Sequence, residues 1–147
     1  VNREDILGDS LRQFKKMDDL RKEIKVTFQN EISHDAGGIS REYFSILVQE
    51  LLKHEMGLFL VANTQEFSYK LNEDSSSNEK AGDQLFFFGQ ILGKALFDHI
   101  PLNLCLNISI YKALLGQTSE EDYEDLHEFQ AIDVNVYNSL KFFMENQ

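Results

Sequence analysis

The chain has 147 residues, 42% of them hydrophobic and 27% charged, with 12 Phe and a formal charge of −11 from 14 basic and 25 acidic side chains. A chain of that length can bury about 70% of the surface its unfolded form exposes, so one globular core is expected and a disordered or fibrous class is excluded. Its acidity repels phosphate backbones and anionic headgroups, which argues against nucleic acid and membrane partners and leaves basic protein surfaces as the attracted class.

Asn2 can cap a first helix from about Arg3 to Phe14, with Glu4 and Asp5 where the positive end of the helix dipole favours them. Ile24, Val26 and Phe28 then alternate with Lys25, Thr27 and Gln29, so Leu20 to Glu31 reads as a helix end leading into a strand with one buried face. Gly37 and Gly38, following Asp35, predict a tight turn of backbone angles that residues bearing a Cβ resist. From Ser40 to Lys53, the spacing of Tyr43, Phe44, Leu47, Val48, Leu51 and Leu52 traces one face of a helix, with either Gly57 as its stop or Lys53 to Met56 as a short exit loop.

Leu58 to Ala62 and Phe67 to Asn72 bracket a four-residue loop and predict a hairpin, followed by a polar loop at about 73–82. From Asp83 to His99, Leu85, Phe88, Leu92, Ala95 and Leu96 form one stripe that Phe86, Phe87 and Ile91 widen almost round the helix, which predicts a buried central helix ended by Pro101. Gly89 and Gly93 each cost about 1 kcal/mol against Ala in a helix interior, so a second backbone is expected to approach them closely. A helix from about Asn107 to Leu115 stops at Gly116, an acidic stretch runs from Glu120 to Glu128, and a last helix begins near Asp133 with Val136, Tyr137, Leu140, Phe143 and Met144 as its stripe. The fold class is α+β, mostly helical, in a single domain over 1–147. The non-Met start and the amphipathic final segment read as boundaries inside a longer protein.

Catalytic chemistry is sparse in these residues. Cys105 is the one thiol and lies between Leu104 and Leu106 with no basic neighbour, which predicts a buried, inert side chain. A single Cys builds neither a disulfide framework nor a multi-thiolate zinc site, so a reducing compartment, cytosol or nucleus, is expected. The four His form no helical chelating pair, and the Gly37-Gly38 pair lacks the rest of a phosphate-binding fingerprint. Asp35 is expected to accept hydrogen bonds from nearby N–H groups, and Arg41 and Glu42, adjacent in a first helical turn, must find partners elsewhere. No catalytic residue, cofactor or metal ligand is assigned.

The run from Val26 to Glu31, followed by Asp35-Ala36-Gly37-Gly38-Ile39-Ser40-Arg41-Glu42-Tyr43-Phe44, resembles the start of HECT-type ubiquitin ligase domains. Gly57-Leu58-Phe59, Phe86 to Leu96 with its glycine spacing, Tyr111 to Gly116 and Asp133 to Leu140 continue the likeness. Asn30 stands where that family usually has Gly, Gln90 where it usually has Arg and Val134 where Pro is common. The resemblance implies the first, larger portion of an N-terminal lobe, with the C-terminal lobe and its thioester-forming cysteine outside this chain. It implies ubiquitin, a conjugating enzyme, protein substrates and the remainder of the HECT domain as partners. It also implies a non-covalent ubiquitin contact on the hairpin, at positions resembling Val61 and Phe67, whereas the alternation of Phe67 with Tyr69 and Leu71 read by itself predicts a core face. The competing reading is a HECT-like helical interaction module without catalysis.

Overall fold

In the computed structural model, which describes residues 1–31, 36–63, 68–117 and 134–146, the Asn2 side chain accepts the Glu4 amide at 3.1 Å and starts a 3-10 turn over Arg3–Asp5. The turn continues as α1 (Ile6–Phe14), which buries Ile6, Ser10 and Phe14 at a spacing of four. The Asn2 amide also donates to Asp9 at 2.8 Å. No helix end follows at Leu20. Asp19 instead accepts the Arg21 amide at 3.0 Å and its guanidinium Nε at 2.9 Å, a local turn that competes with helical hydrogen bonding.

Residues 24–28 keep the predicted alternation, with Ile24 and Val26 half-buried, Phe28 buried, and Lys25 and Thr27 exposed. They form an extended segment outside any assigned strand. At its end Asn30 takes a left-handed φ of 65°, a conformation that Asn tolerates better than other residues bearing a Cβ, and one that suits a position where Gly is usual in the resembled family.

The helix α2 (Ala36–Leu52) buries all six predicted positions, Tyr43, Phe44, Leu47, Val48, Leu51 and Leu52. The tight turn expected at Gly37 and Gly38 is corrected: both lie in the first turn of α2, in helical conformation. The α-helix ends at Leu52, and a separate 3-10 turn over His54–Met56 carries the chain out to Gly57, which caps that turn at φ 65°. Inside, the Tyr43 hydroxyl donates to Ser10 Oγ at 2.8 Å, a buried polar contact that ties α2 to α1.

The helix α3 (Ala81–Phe97) buries Ala81, Phe87, Phe88, Ile91, Lys94 and Ala95 and packs on α2, with Phe87 edge-on to Phe14 at 5.2 Å. The polar stretch before it is a short 3-10 helix over Glu73–Ser77 in its first half. At the far end the Ile100 and His99 amides reach back to the Ala95 and Leu96 carbonyls while His99 adopts φ 56°, a left-handed helix stop ahead of Pro101.

These elements belong to one compact unit, Val1–Leu58 with Asp74–Asn103; a second comprises Phe59–Glu73 and Leu104–Gln147. The second unit holds the hairpin β1 (Phe59–Asn63) and β2 (Ser68–Leu71), paired antiparallel with Phe59 opposite Leu71 and Val61 opposite Tyr69. On its other edge Tyr69 donates to the Cys105 carbonyl at 2.9 Å and accepts the Asn107 amide at 2.8 Å, a parallel bridge to Leu106. Asn107 then caps α4 (Ile108–Leu114) by accepting the Ser109 amide at 3.0 Å, and Gly116 closes that helix at φ 66°. The last helix, α5 (Val134–Glu145), buries Tyr137. The acidic stretch Glu120 to Glu128 lies outside the described residues.

Arg3 organises the start of the first unit. Its guanidinium grips both carboxylate oxygens of Glu31, pairs with Glu42 at 2.9 Å and lies 3.8 Å over the Phe28 ring. Arg3 thereby holds the Glu31 carboxyl below its ordinary range. A depressed folded value means stability that is present above the ordinary carboxylate range, near pH 4, and lost as pH falls through the folded value. We expect Glu31→Gln to flatten the acid limb of a stability-versus-pH curve below about pH 5, measured by denaturant melts, while leaving the neutral limb parallel to wild type.

Candidate functional site

Antiparallel pairing puts directly opposed residues on the same face, so Val61, Tyr69 and Leu71 share one side of the hairpin with Phe59. Phe59 is 3% exposed although Leu71, directly opposite it, is 45% exposed, and Val61, opposite the half-buried Tyr69, is 51% exposed. Of these four only Phe59 is fully buried, and the expectation of a core face through Leu71 is corrected: Leu71 is open and Ser68, on the opposite parity, is buried. The register shifts between Val61 and Asn63, the local twist that a bulge introduces. Phe67 lies outside the described residues.

The residues singled out near the start of α2 separate in space. Glu42 joins Arg3 and Glu31 in the network described above. Arg41 is exposed and lines a groove with Ile39, Ile24 and Val26. Asp35 lies outside the described residues.

Gly89 and Gly93 stand on the exposed side of α3, in line with Phe86 and Leu96, and a Cβ added at either glycine would meet nothing within 4 Å. The close backbone approach expected there is corrected. The predicted stripe also misplaced Leu96, which is 79% exposed, as Phe86 is at 71%. On a helix apolar nearly all round, periodicity does not say which side turns inward.

Lys94, which sequence reasoning passed over, occupies the buried side instead. Its side chain has no exposed area, and its ammonium donates to the Lys22 carbonyl and to Asp98 Oδ1, each at 2.8 Å. The signal was present as a Lys inside an apolar run with an Asp four residues on. A buried ammonium is tolerated only when paired and hydrogen-bonded, so this contact fixes the turn before the extended segment against the end of α3.

Cys105 is exposed, against the expectation of burial. Its backbone carbonyl is taken up by Tyr69, which places 105–107 along the edge of β2 and turns the Cys105 side chain out of the core. Among the described residues none gives its thiol a cationic or hydrogen-bonding partner of the kind that makes a reactive thiolate. The described residues likewise contain no cluster of three or more His, Cys, Asp or Glu fit to hold a metal. What they do present is apolar surface: Leu114 at the end of α4, Leu115 just beyond it, and Phe142, Phe143 and Met144 on α5 are all more than 60% exposed. Clusters of exposed apolar side chains such as Phe142, Phe143 and Met144 are a property of protein contacts.

Residues 45–147 match the HECT-domain (ubiquitin-transferase) family, and the chain belongs to that family. Its relatives include the E3 ubiquitin-protein ligase TOM1 of Saccharomyces cerevisiae, 30% identical over 149 residues covering 99% of this chain and 4% of that protein. The TOM1-like E3 ubiquitin-protein ligase of Neurospora crassa is 31% identical over 150 residues, 99% of this chain and 4% of its own length. The E3 ubiquitin-protein ligase pub3 of Schizosaccharomyces pombe is 30% identical over 148 residues, 99% of this chain and 18% of its own. The chain therefore spans a small part of the curated relatives it matches.

The Lys94 pair can be tested by removing each half. Asp98→Ala leaves a buried ammonium with a carbonyl alone and is expected to cost about 3 kcal/mol in chemical denaturation. Lys94→Met keeps the apolar stem without the charge and should cost less, about 1–2 kcal/mol, with the double variant close to Lys94→Met alone.

Proposed function

We propose that this chain is the scaffold portion of a HECT-type ubiquitin-protein transferase, acting in the cytosol or nucleus. The match of residues 45–147 to the ubiquitin-transferase family carries the reading. Ubiquitin passes from a conjugating enzyme to a cysteine outside residues 1–147, and from that thioester to a substrate lysine, so a thiolate divides one difficult transfer into two easier ones. The exposed, unassisted thiol of Cys105 supports a non-catalytic role for this portion. The exposed faces of α3, α4 and α5 are what the rest of the HECT domain would cover.

In the full-length protein, supplied with activating and conjugating enzymes, Cys105→Ser should form the ubiquitin thioester at the wild-type level, and residues 1–147 alone should form none. A reduction-sensitive ubiquitin band on 1–147 that disappears in Cys105→Ser would overturn the assignment and make this portion catalytic. Absence of any thioester on the full-length protein would favour the non-catalytic interaction module.

The exposed Val61 and Leu71, with the half-buried Tyr69 on the same face, are the proposed ubiquitin contact, an apolar patch able to meet a second protein without covalent chemistry. Titration of isotope-labelled ubiquitin should shift resonances with the wild-type protein, and Val61→Asp should weaken that binding about tenfold, the effect of placing a charge in a desolvated contact. Unmoved ubiquitin resonances at high wild-type concentration would remove this contact.

A further inference from the structure

The extended segment 24–28 has two edges, and only one of them meets Val1. The Val1 nitrogen donates to the Thr27 carbonyl at 2.7 Å and the Val1 carbonyl accepts the Gln29 amide at 3.0 Å, so the odd-numbered backbone groups face that way. On an extended chain the even-numbered groups face the opposite edge. Among the described residues, no hydrogen bond engages the amides or carbonyls of Ile24 and Val26. A groove of about 630 Å³ lies on this side, between the segment, the first turns of α2 and residues 98–100, with Ile24, Val26 and Ile39 as its apolar lining.

Charge selects what can lie there. The chain has 25 acidic and 14 basic side chains, yet Arg21, Lys25 and Arg41 line this groove against Glu23 and Asp98. Arg21 is held by Asp19, and Asp98 holds the Lys94 ammonium. Lys25 and Arg41 have no ion pair or hydrogen bond among the described residues. Glu23 offsets one of these two charges, which leaves a cationic groove on an acidic chain. We propose that this edge docks an extended acidic peptide segment of a partner protein, added as a strand along residues 23–27. Side chains on one face of a strand pair meet those of the same face on its neighbour. Apolar residues of the peptide therefore pack on Ile24 and Val26, and the carboxylates that alternate with them meet Lys25 and Arg41. In strand addition the backbone bonds hold the peptide and the alternate side chains select it.

The docking needs no ubiquitin chemistry, so it stands or falls separately from transfer. Fluorescence anisotropy of a labelled, end-capped heptapeptide that alternates Glu and Val, titrated with the full-length protein, tests it. This peptide should bind saturably, and the same peptide with Lys for Glu should bind at least about tenfold more weakly. Arg41→Glu and Lys25→Glu should each weaken the Glu peptide by about tenfold or more; both side chains are exposed and unpaired, so neither change disturbs the core. N-methylation separates strand addition from charge attraction. Methyl groups on all Glu nitrogens and on all Val nitrogens block the two opposite edges of the peptide, so one pattern should abolish binding and the other leave it within about twofold. Failure of the Glu peptide to bind overturns the proposal and assigns the edge to the protein's own chain. Equal binding of the Lys peptide, or unchanged affinity in Arg41→Glu and Lys25→Glu, overturns the choice of an acidic partner. Equal tolerance of both N-methyl patterns overturns the added strand.

Discussion

The buried ammonium of Lys94 constrains the first unit more than any other single group. Without exposed side-chain area, it must keep both of its partners, and those partners belong to different parts of the chain: the Lys22 carbonyl, 72 residues earlier in sequence, and Asp98 one helical turn on. Desolvation makes this contact selective as well as cohesive, because any arrangement that moves the 19–22 turn off the end of α3 strands a charge in an apolar interior. Arg3 performs the complementary task at the surface, linking the first turn of the chain, Glu31 and α2. Between these two cations the extended segment 24–28 is held straight, although no sheet is assigned to it.

Much of the fold was legible because its signals were one-sided. The helix α2 has apolar residues on one face only, and all six predicted positions are buried. The hairpin, the α4 start at Asn107 and the stops at Gly57 and Gly116 rest on local chemistry, namely alternation, an Asn side chain that takes up a free amide, and left-handed glycine. Where a segment was apolar nearly all round, as in α3, the period identified a helix and left its orientation open, so Leu96 and Phe86 were placed inside when they lie outside. Gly37 and Gly38 misled for the opposite reason. Glycine permits a turn without requiring one, and here both residues fit helical geometry.

The candidate contact surface was legible to a lesser degree. Val61 was named through a family likeness and is exposed, beside Tyr69 and Leu71, a grouping that follows from register and could not be read before the strand pairing was known. Cys105 was judged by its neighbours Leu104 and Leu106, but residues adjacent on an extended backbone point to opposite sides, so apolar neighbours say little about where the thiol itself goes. Lys94 escaped notice because a charged side chain in an apolar run is usually a solvated edge, and only burial reveals the pair.

The exposed aromatic end of α5 has a colloidal meaning. Phe142, Phe143 and Met144 present to water side chains that would adhere to those of another copy, while the net charge of −11 pushes copies apart. The two forces differ in range: repulsion acts over the Debye length, about 8 Å at physiological ionic strength and about 3 Å in 1 M salt, whereas apolar adhesion acts only at contact. Dissolved by itself, residues 1–147 would owe their dispersion to low salt, and adding salt would thin the electrostatic cushion until sticky helix ends meet.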